Sequence, residues 1–185
     1  MNIANKITML RIAMIPIFMI VMLIDFPFHM EVALAIFLIA SITDHLDGHI
    51  ARKYNMITDF GKFMDPLADK LLVTAAFVLM IQMGRIEAWI VFVILAREFA
   101  VTGLRGIAAA QNVVIAASNF GKLKTVSQIV TICVLLLNNF PFNYLHLPVD
   151  IICIYVTLII TVLSGLDYFA KNIGVILPQK LNQKG

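Results

Sequence analysis

The chain has 185 residues, of which 61% are hydrophobic and 14% charged, with a mean hydropathy of +0.95. A soluble domain is about 45–50% apolar and about 25% charged, so this composition excludes a water-facing shell around a single core and predicts a chain embedded in a lipid bilayer. The net charge of +3 does not point to nucleic acid, because the basic residues are scattered between apolar runs rather than gathered on one face.

Residues 1–24 place Lys6 and Arg11 ahead of an apolar stretch, as a signal peptide would, but no small-x-small cleavage site follows. They read as a retained first helix over 7–24, with Pro16 inside it and a short interfacial segment at 2–10. A bilayer core about 30 Å thick takes about 20 apolar residues in a helix. Five more runs fit approximately: 31–54, 66–83, 88–111, 124–137 and 149–170. The run 124–137, the fifth of the six helices, is the shortest, and its N-terminal turns carry Lys122, Lys124 and Gln128. None of the runs alternates in segments of about ten residues, as a β-barrel requires. The predicted fold is all-α: a polytopic membrane protein of six transmembrane helices with a short N-terminal interfacial segment, forming a single domain over 1–185.

With six spans, the N-terminus, the second and fourth loops and the C-terminus share one side. Counting the helices that lead into it, that side holds thirteen Lys and Arg, from Lys6 and Arg11 to Lys180 and Lys184, against Arg85 alone in the opposite loops. Cytoplasmic loops carry the excess of Lys and Arg, so both termini are expected in the cytoplasm and the protein in the cell membrane. Cys133 and Cys153 lie inside apolar runs without CxxC spacing and read as packing residues.

Four acids stand where hydropathy calls for none. Asp44 and Asp47 lie in the cytoplasmic half of the second helix, Asp65 and Asp69 at the start of the third. Ionised groups there are costly, and ion pairing with Arg52, Lys62 and Lys70 does not explain why the acids come in facing pairs. At about 100° per residue, Asp44 and Asp47 share one broad face with Gly48, Ala51 and Arg52. Asp65 and Asp69, four apart, share another. Two carboxylate pairs make an oxygen-rich cage suited to hard cations such as Mg2+ or Mn2+, and two such ions suit phosphoryl transfer. Gly48 and Gly61 let backbone approach a diphosphate, and Arg52 can pair with phosphate oxygens.

Asp44-x-x-Asp47-Gly48-x-x-Ala51-Arg52, eight further residues, then Gly61-x-x-x-Asp65-x-x-x-Asp69 resembles the signature of the CDP-alcohol phosphatidyltransferase family, with all eight fixed positions present across 26 residues. The resemblance implies that Asp44 and Asp65 bridge two metal ions, with Asp47 on one and Asp69 on the other. It implies that Gly48, Arg52 and Thr58 contact CDP-diacylglycerol, and that Asp69 is also the general base on an acceptor alcohol. A homodimer is implied too. Asn5-x-x-Thr8-x-x-Arg11, the block 96–105 and the block 121–125 are similar to the branch of the family that uses glycerol 3-phosphate. There Asn5 and Thr8 would join Gly61 in binding CDP-diacylglycerol.

An acceptor bearing a phosphate dianion needs fixed cations, which Arg97, Arg105 and Lys124 can supply. For Lys122 and Lys124 the alternative is simple anchoring on the cytoplasmic side, and Glu98 is a candidate partner for Arg105 seven residues on. His45 and His49 project away from the Asp44/Asp47 face and read as packing residues. Two other functions remain in view: the same chemistry with inositol phosphate or phosphatidylglycerol as acceptor, and a divalent-metal transporter. A transporter would spread its acids at mid-membrane over several helices, whereas these gather at one cytoplasmic edge.

Overall fold

Apolar residues recurring every three or four positions make each long run a helix with one buried stripe, and the computed structural model shows six of them among the described residues, with no strand. Its backbone is described for residues 3–53, 59–111, 113, 115–116 and 118–176; within these, the side chains of 3–6, 44–53, 59–63, 65–66, 69, 143 and 175–176 lie outside the description. The helices are α1 (Ile3–Leu23), α2 (His29–Lys53), α3 (Asp59–Gln82), α4 (Ala88–Ala110), α5 (Asn119–Leu136) and α6 (Val149–Ile176), with a single 3-10 turn at Phe142–Leu145.

The end of α6, at Ile176 rather than 170, and the starts of α1, α3 and α5 differ most from the sequence reading. α1 is one continuous helix from Ile3, four residues ahead of its expected start, and passes through Pro16. α3 starts at Asp59 rather than at 66, so position 66 is interior; a proline there removes one backbone bond, which helices of apolar environments tolerate. α5 starts at Asn119, ahead of its two lysines, because Ser118 caps it: the Gly121 N–H donates to Ser118 Oγ at 3.0 Å, the bond an N-cap side chain makes to the third helical residue.

The chain forms two compact units. The first comprises Met1–Ile86 and Ile132–Asp150. In it α1 packs against α2 and α3, which also touch each other. Thr8, Arg11, Ile15, Phe18 and Met22 form the buried stripe of α1, and Met30, Ala33, Phe37 and Ala40 that of α2. Phe18 and Phe37 meet with ring centroids 6.0 Å apart, and the alanines let the helices approach closely. α3 ends at Gln82 and is followed by Gly84, whose φ of +68° suits a residue without a Cβ. Beyond it the Arg85 guanidinium donates to the Leu135 carbonyl at 2.6 Å. Burial pushes that guanidinium below its usual range, and Asp150 opposes the shift.

The second unit comprises Glu87–Thr131 and Ile151–Gly185. The polarity of its α6 is inverted relative to a helix of a soluble bundle. On α6 the buried stripe is Ile154, Thr157, Thr161, Ser164 and Tyr168, while Ile151, Ile152, Val156, Ile159, Leu163 and Leu166 are exposed. Small polar groups inside and large apolar ones outside is how helices pack in lipid. Val149–Gly174 is long and apolar enough to cross a membrane, and shorter apolar helical stretches cover Ile7–Leu23, His29–Thr43 and Lys70–Gln82.

Candidate active site

The two aspartate pairs sit on consecutive helices of the first unit. Asp47 lies six residues before the end of α2 at Lys53, and Asp65 six residues after the start of α3 at Asp59. Asp44 and Asp69 lie nine and ten residues from the same ends. At a rise of 1.5 Å per residue, each pair occupies the same level of its helix, about 9 Å and about 14 Å from the connection. Along their own helices, the backbones of the four acids thus lie at nearly equal distances from the end of α2 and the start of α3. Four Asp carboxylates are hard oxygen donors without soft or imidazole ligands among them, a donor set that fits Mg2+ or Mn2+.

The side chains of Asn5, Asp44, Asp47, Gly48, Arg52, Gly61, Asp65 and Asp69 lie outside the described residues, as do those of His45 and His49, and Thr58 lies outside them altogether. Thr8 is described: it is buried on the inner stripe of α1, one turn before the fully buried Arg11.

The cations named from sequence fall in the second unit, where each has a definite partner. Arg97 on α4 donates through Nη2 to Ser164 Oγ at 2.6 Å and through Nη1 to Glu98 Oε1 at 3.3 Å. The same Glu98 oxygen pairs with Lys124 Nζ. Two cations therefore surround one carboxylate, with all three side chains largely buried. Lys124 is one of the buried charges of the protein rather than an exposed anchor. Arg105 does not pair with Glu98: its Nε donates to Tyr168 Oη at 2.8 Å, and its guanidinium carbon lies 5.4 Å from the Tyr168 ring centroid.

Gly165 belongs to this arrangement through its missing side chain, since a Cβ there would stand 3.1 Å from Arg97 Cγ. Sequence reasoning missed Ser164, Gly165 and Tyr168. The available signal was their spacing, with Thr157 and Thr161, along one face of an otherwise apolar helix.

A sequence model of the CDP-alcohol phosphatidyltransferase family matches residues 1–163. A Bacillus subtilis protein called CDP-diacylglycerol–glycerol-3-phosphate 3-phosphatidyltransferase is 48% identical over 184 residues, covering 92% of this chain and 95% of its own. Proteins of the same description from Rickettsia bellii and Rickettsia typhi are 37% and 36% identical over 169 residues, each covering 91% of this chain and 93% and 95% of their own. With a family match through most of its length, and relatives this similar from end to end, the chain belongs to the CDP-alcohol phosphatidyltransferase family.

Proposed function

We propose that the protein transfers the phosphatidyl group of CDP-diacylglycerol to glycerol 3-phosphate, giving phosphatidylglycerol phosphate and CMP. The observation that carries this reading is that the two aspartate pairs lie on consecutive helices at nearly equal residue distances from the end of α2 and the start of α3. The relatives' shared description supports the choice of substrates.

Asp44, Asp47, Asp65 and Asp69 would hold two Mg2+ or Mn2+ ions, which when bound neutralise charge on the diphosphate and the departing CMP. Arg52, Gly48, Gly61 and Thr58, with Asn5 and Thr8 from α1, bind the CDP-diacylglycerol head group. Asp69 accepts the proton of the acceptor hydroxyl as that oxygen attacks the phosphorus next to diacylglycerol. The bond from this phosphorus to the CMP oxygen breaks, and CMP leaves. Arg97, Arg105 and Lys124 hold the acceptor's phosphate, where buried cations discriminate strongly for an anion.

The protein acts as a homodimer in the cell membrane, crossing it six times with both termini and the active site on the cytoplasmic face. The inverted polarity of α6 and the charge asymmetry of the loops support this placement.

An acceptor panel tests the reading. Purified protein with CDP-diacylglycerol and Mg2+ should release CMP with glycerol 3-phosphate, and not with glycerol, inositol phosphate or phosphatidylglycerol. Release with one of those three and none with glycerol 3-phosphate would overturn the acceptor.

A further inference from the structure

α5 and α6 of the second unit meet along a polar seam. Lys124, Gln128 and Thr131 recur at helical spacing on α5, Thr157, Thr161 and Ser164 on α6, and all six are buried. At one end the Thr131 hydroxyl donates to the Cys153 carbonyl at 3.1 Å and lies 2.8 Å from that of Thr157. At the other, Glu98 joins Lys124 to Arg97, which in turn donates to Ser164. These contacts set an antiparallel register, in which one turn back along α5 matches one turn on along α6. Gln128 therefore stands level with Thr161, between the two occupied levels.

The middle level is incomplete. Gln128 Nε2 and Thr161 Oγ1 are buried with no hydrogen-bond partner among the described residues, and so is Arg97 Nε at the adjoining cation level. Neither lipid nor the surrounding apolar side chains can satisfy these groups, and a buried polar group without a partner is costly. Two of the three are N–H donors and the third is a hydroxyl, so the seam is built to receive oxygen atoms. One helical turn, about 5.4 Å, separates the middle level from the cations, comparable to the reach from a hydroxyl oxygen to the oxygens of a phosphate on the neighbouring carbon.

We propose that Gln128 and Thr161 bind the middle hydroxyl of a three-carbon polyol phosphate whose phosphate is held by Arg97 and Lys124. This rests on the acceptor reading above and adds which part of the acceptor is recognised: the hydroxyl that does not attack. A site with buried groups placed for a hydroxyl rejects the analogue that lacks it, because those groups are then left unpaired.

The test compares glycerol 3-phosphate with 3-hydroxypropyl phosphate, which lacks the middle hydroxyl, on the purified full chain. For the wild type the analogue should bind about tenfold more weakly, read as KM or as a competition constant. Thr161→Val and Gln128→Leu should raise the KM for glycerol 3-phosphate about tenfold and leave the analogue unchanged, so that discrimination vanishes. Thr161→Ser, which restores the hydroxyl, should keep it, and the KM for CDP-diacylglycerol should stay constant throughout. Equal wild-type affinity for the two phosphates overturns the proposal without any variant. So do variants with normal CDP-diacylglycerol KM that keep the discrimination, or that weaken both phosphates equally. CMP release with some other acceptor and none with glycerol 3-phosphate overturns the underlying acceptor reading, an outcome distinct from lost discrimination.

Discussion

Arg97 shows how one side chain can be legible in sequence while its surroundings are not. A guanidinium inside the apolar run of α4 stands out at once, because charge in that setting is costly. Its neighbours do not stand out: Ser164 and Gly165 are ordinary residues until Ser164 Oγ is found 2.6 Å from the guanidinium and a Cβ at 165 is found to crowd its stem. The Glu98 pairing open to Arg105 gives way to one with Tyr168 for the same reason, since a partner on its own helix is visible from spacing and Tyr168 on α6 is not. Losing a charge-assisted contact to a buried phosphate costs about 1.5–3 kcal/mol, or about 10- to 150-fold in affinity. Arg97→Ala and Arg105→Ala should raise the KM for glycerol 3-phosphate by that factor and leave that for CDP-diacylglycerol nearly unchanged, whereas Arg52→Ala should do the reverse. Gly165→Ala displaces the Arg97 stem by a few tenths of an ångström and should produce a milder version of the Arg97→Ala profile. Steady-state kinetics with each substrate varied in turn separates these outcomes from a general loss of structure, which would move both constants together.

At the scale of the element, helix number and order were legible because long apolar runs separated by Pro, Gly and Asn leave little alternative. Starts were legible to within two residues for α2, α4 and α6 and missed for α1, α3 and α5. α3 begins seven residues before its expected start because Gly61 and Pro66 resemble breakers, and α5 begins five residues early because Lys122 and Lys124 resemble loop. For α5 the Ser118 cap outweighs the local signal. The Ser118 cap is therefore a measurable part of the fold. Ser118→Ala should destabilise the protein by about 1 kcal/mol, seen as a lower Tm in detergent, while Ser118→Asp, which can still cap, should not. The polar seam of α5 and α6 escaped the sequence reading because each Thr, Ser or Gln is unremarkable alone. Only the pairing of two helices turns six such residues into one feature.

For the whole molecule, the proposed crossing pattern rests on the excess of thirteen basic residues on one side over Arg85 on the other. Tags at either terminus should be protected from external protease in intact cells, and a tag near Asn143 should be cleaved; the opposite pattern would place the aspartate pairs on the wrong side for a cytoplasmic acceptor. The four acids were the most legible part of the candidate site, since their spacing and setting are both written in the chain, and the fold adds that they lie within α2 and α3 at nearly equal distances from the end of one and the start of the other. The most direct test of the account is CMP release from CDP-diacylglycerol and glycerol 3-phosphate by the wild type, Asp44→Asn and Asp65→Asn, each before and after EDTA and after readdition of Mg2+. The account predicts that EDTA silences the wild type, that Mg2+ restores it, and that both variants insert normally in the membrane yet release no CMP under any condition. Substantial release by both variants, or by the wild type in EDTA, would contradict it.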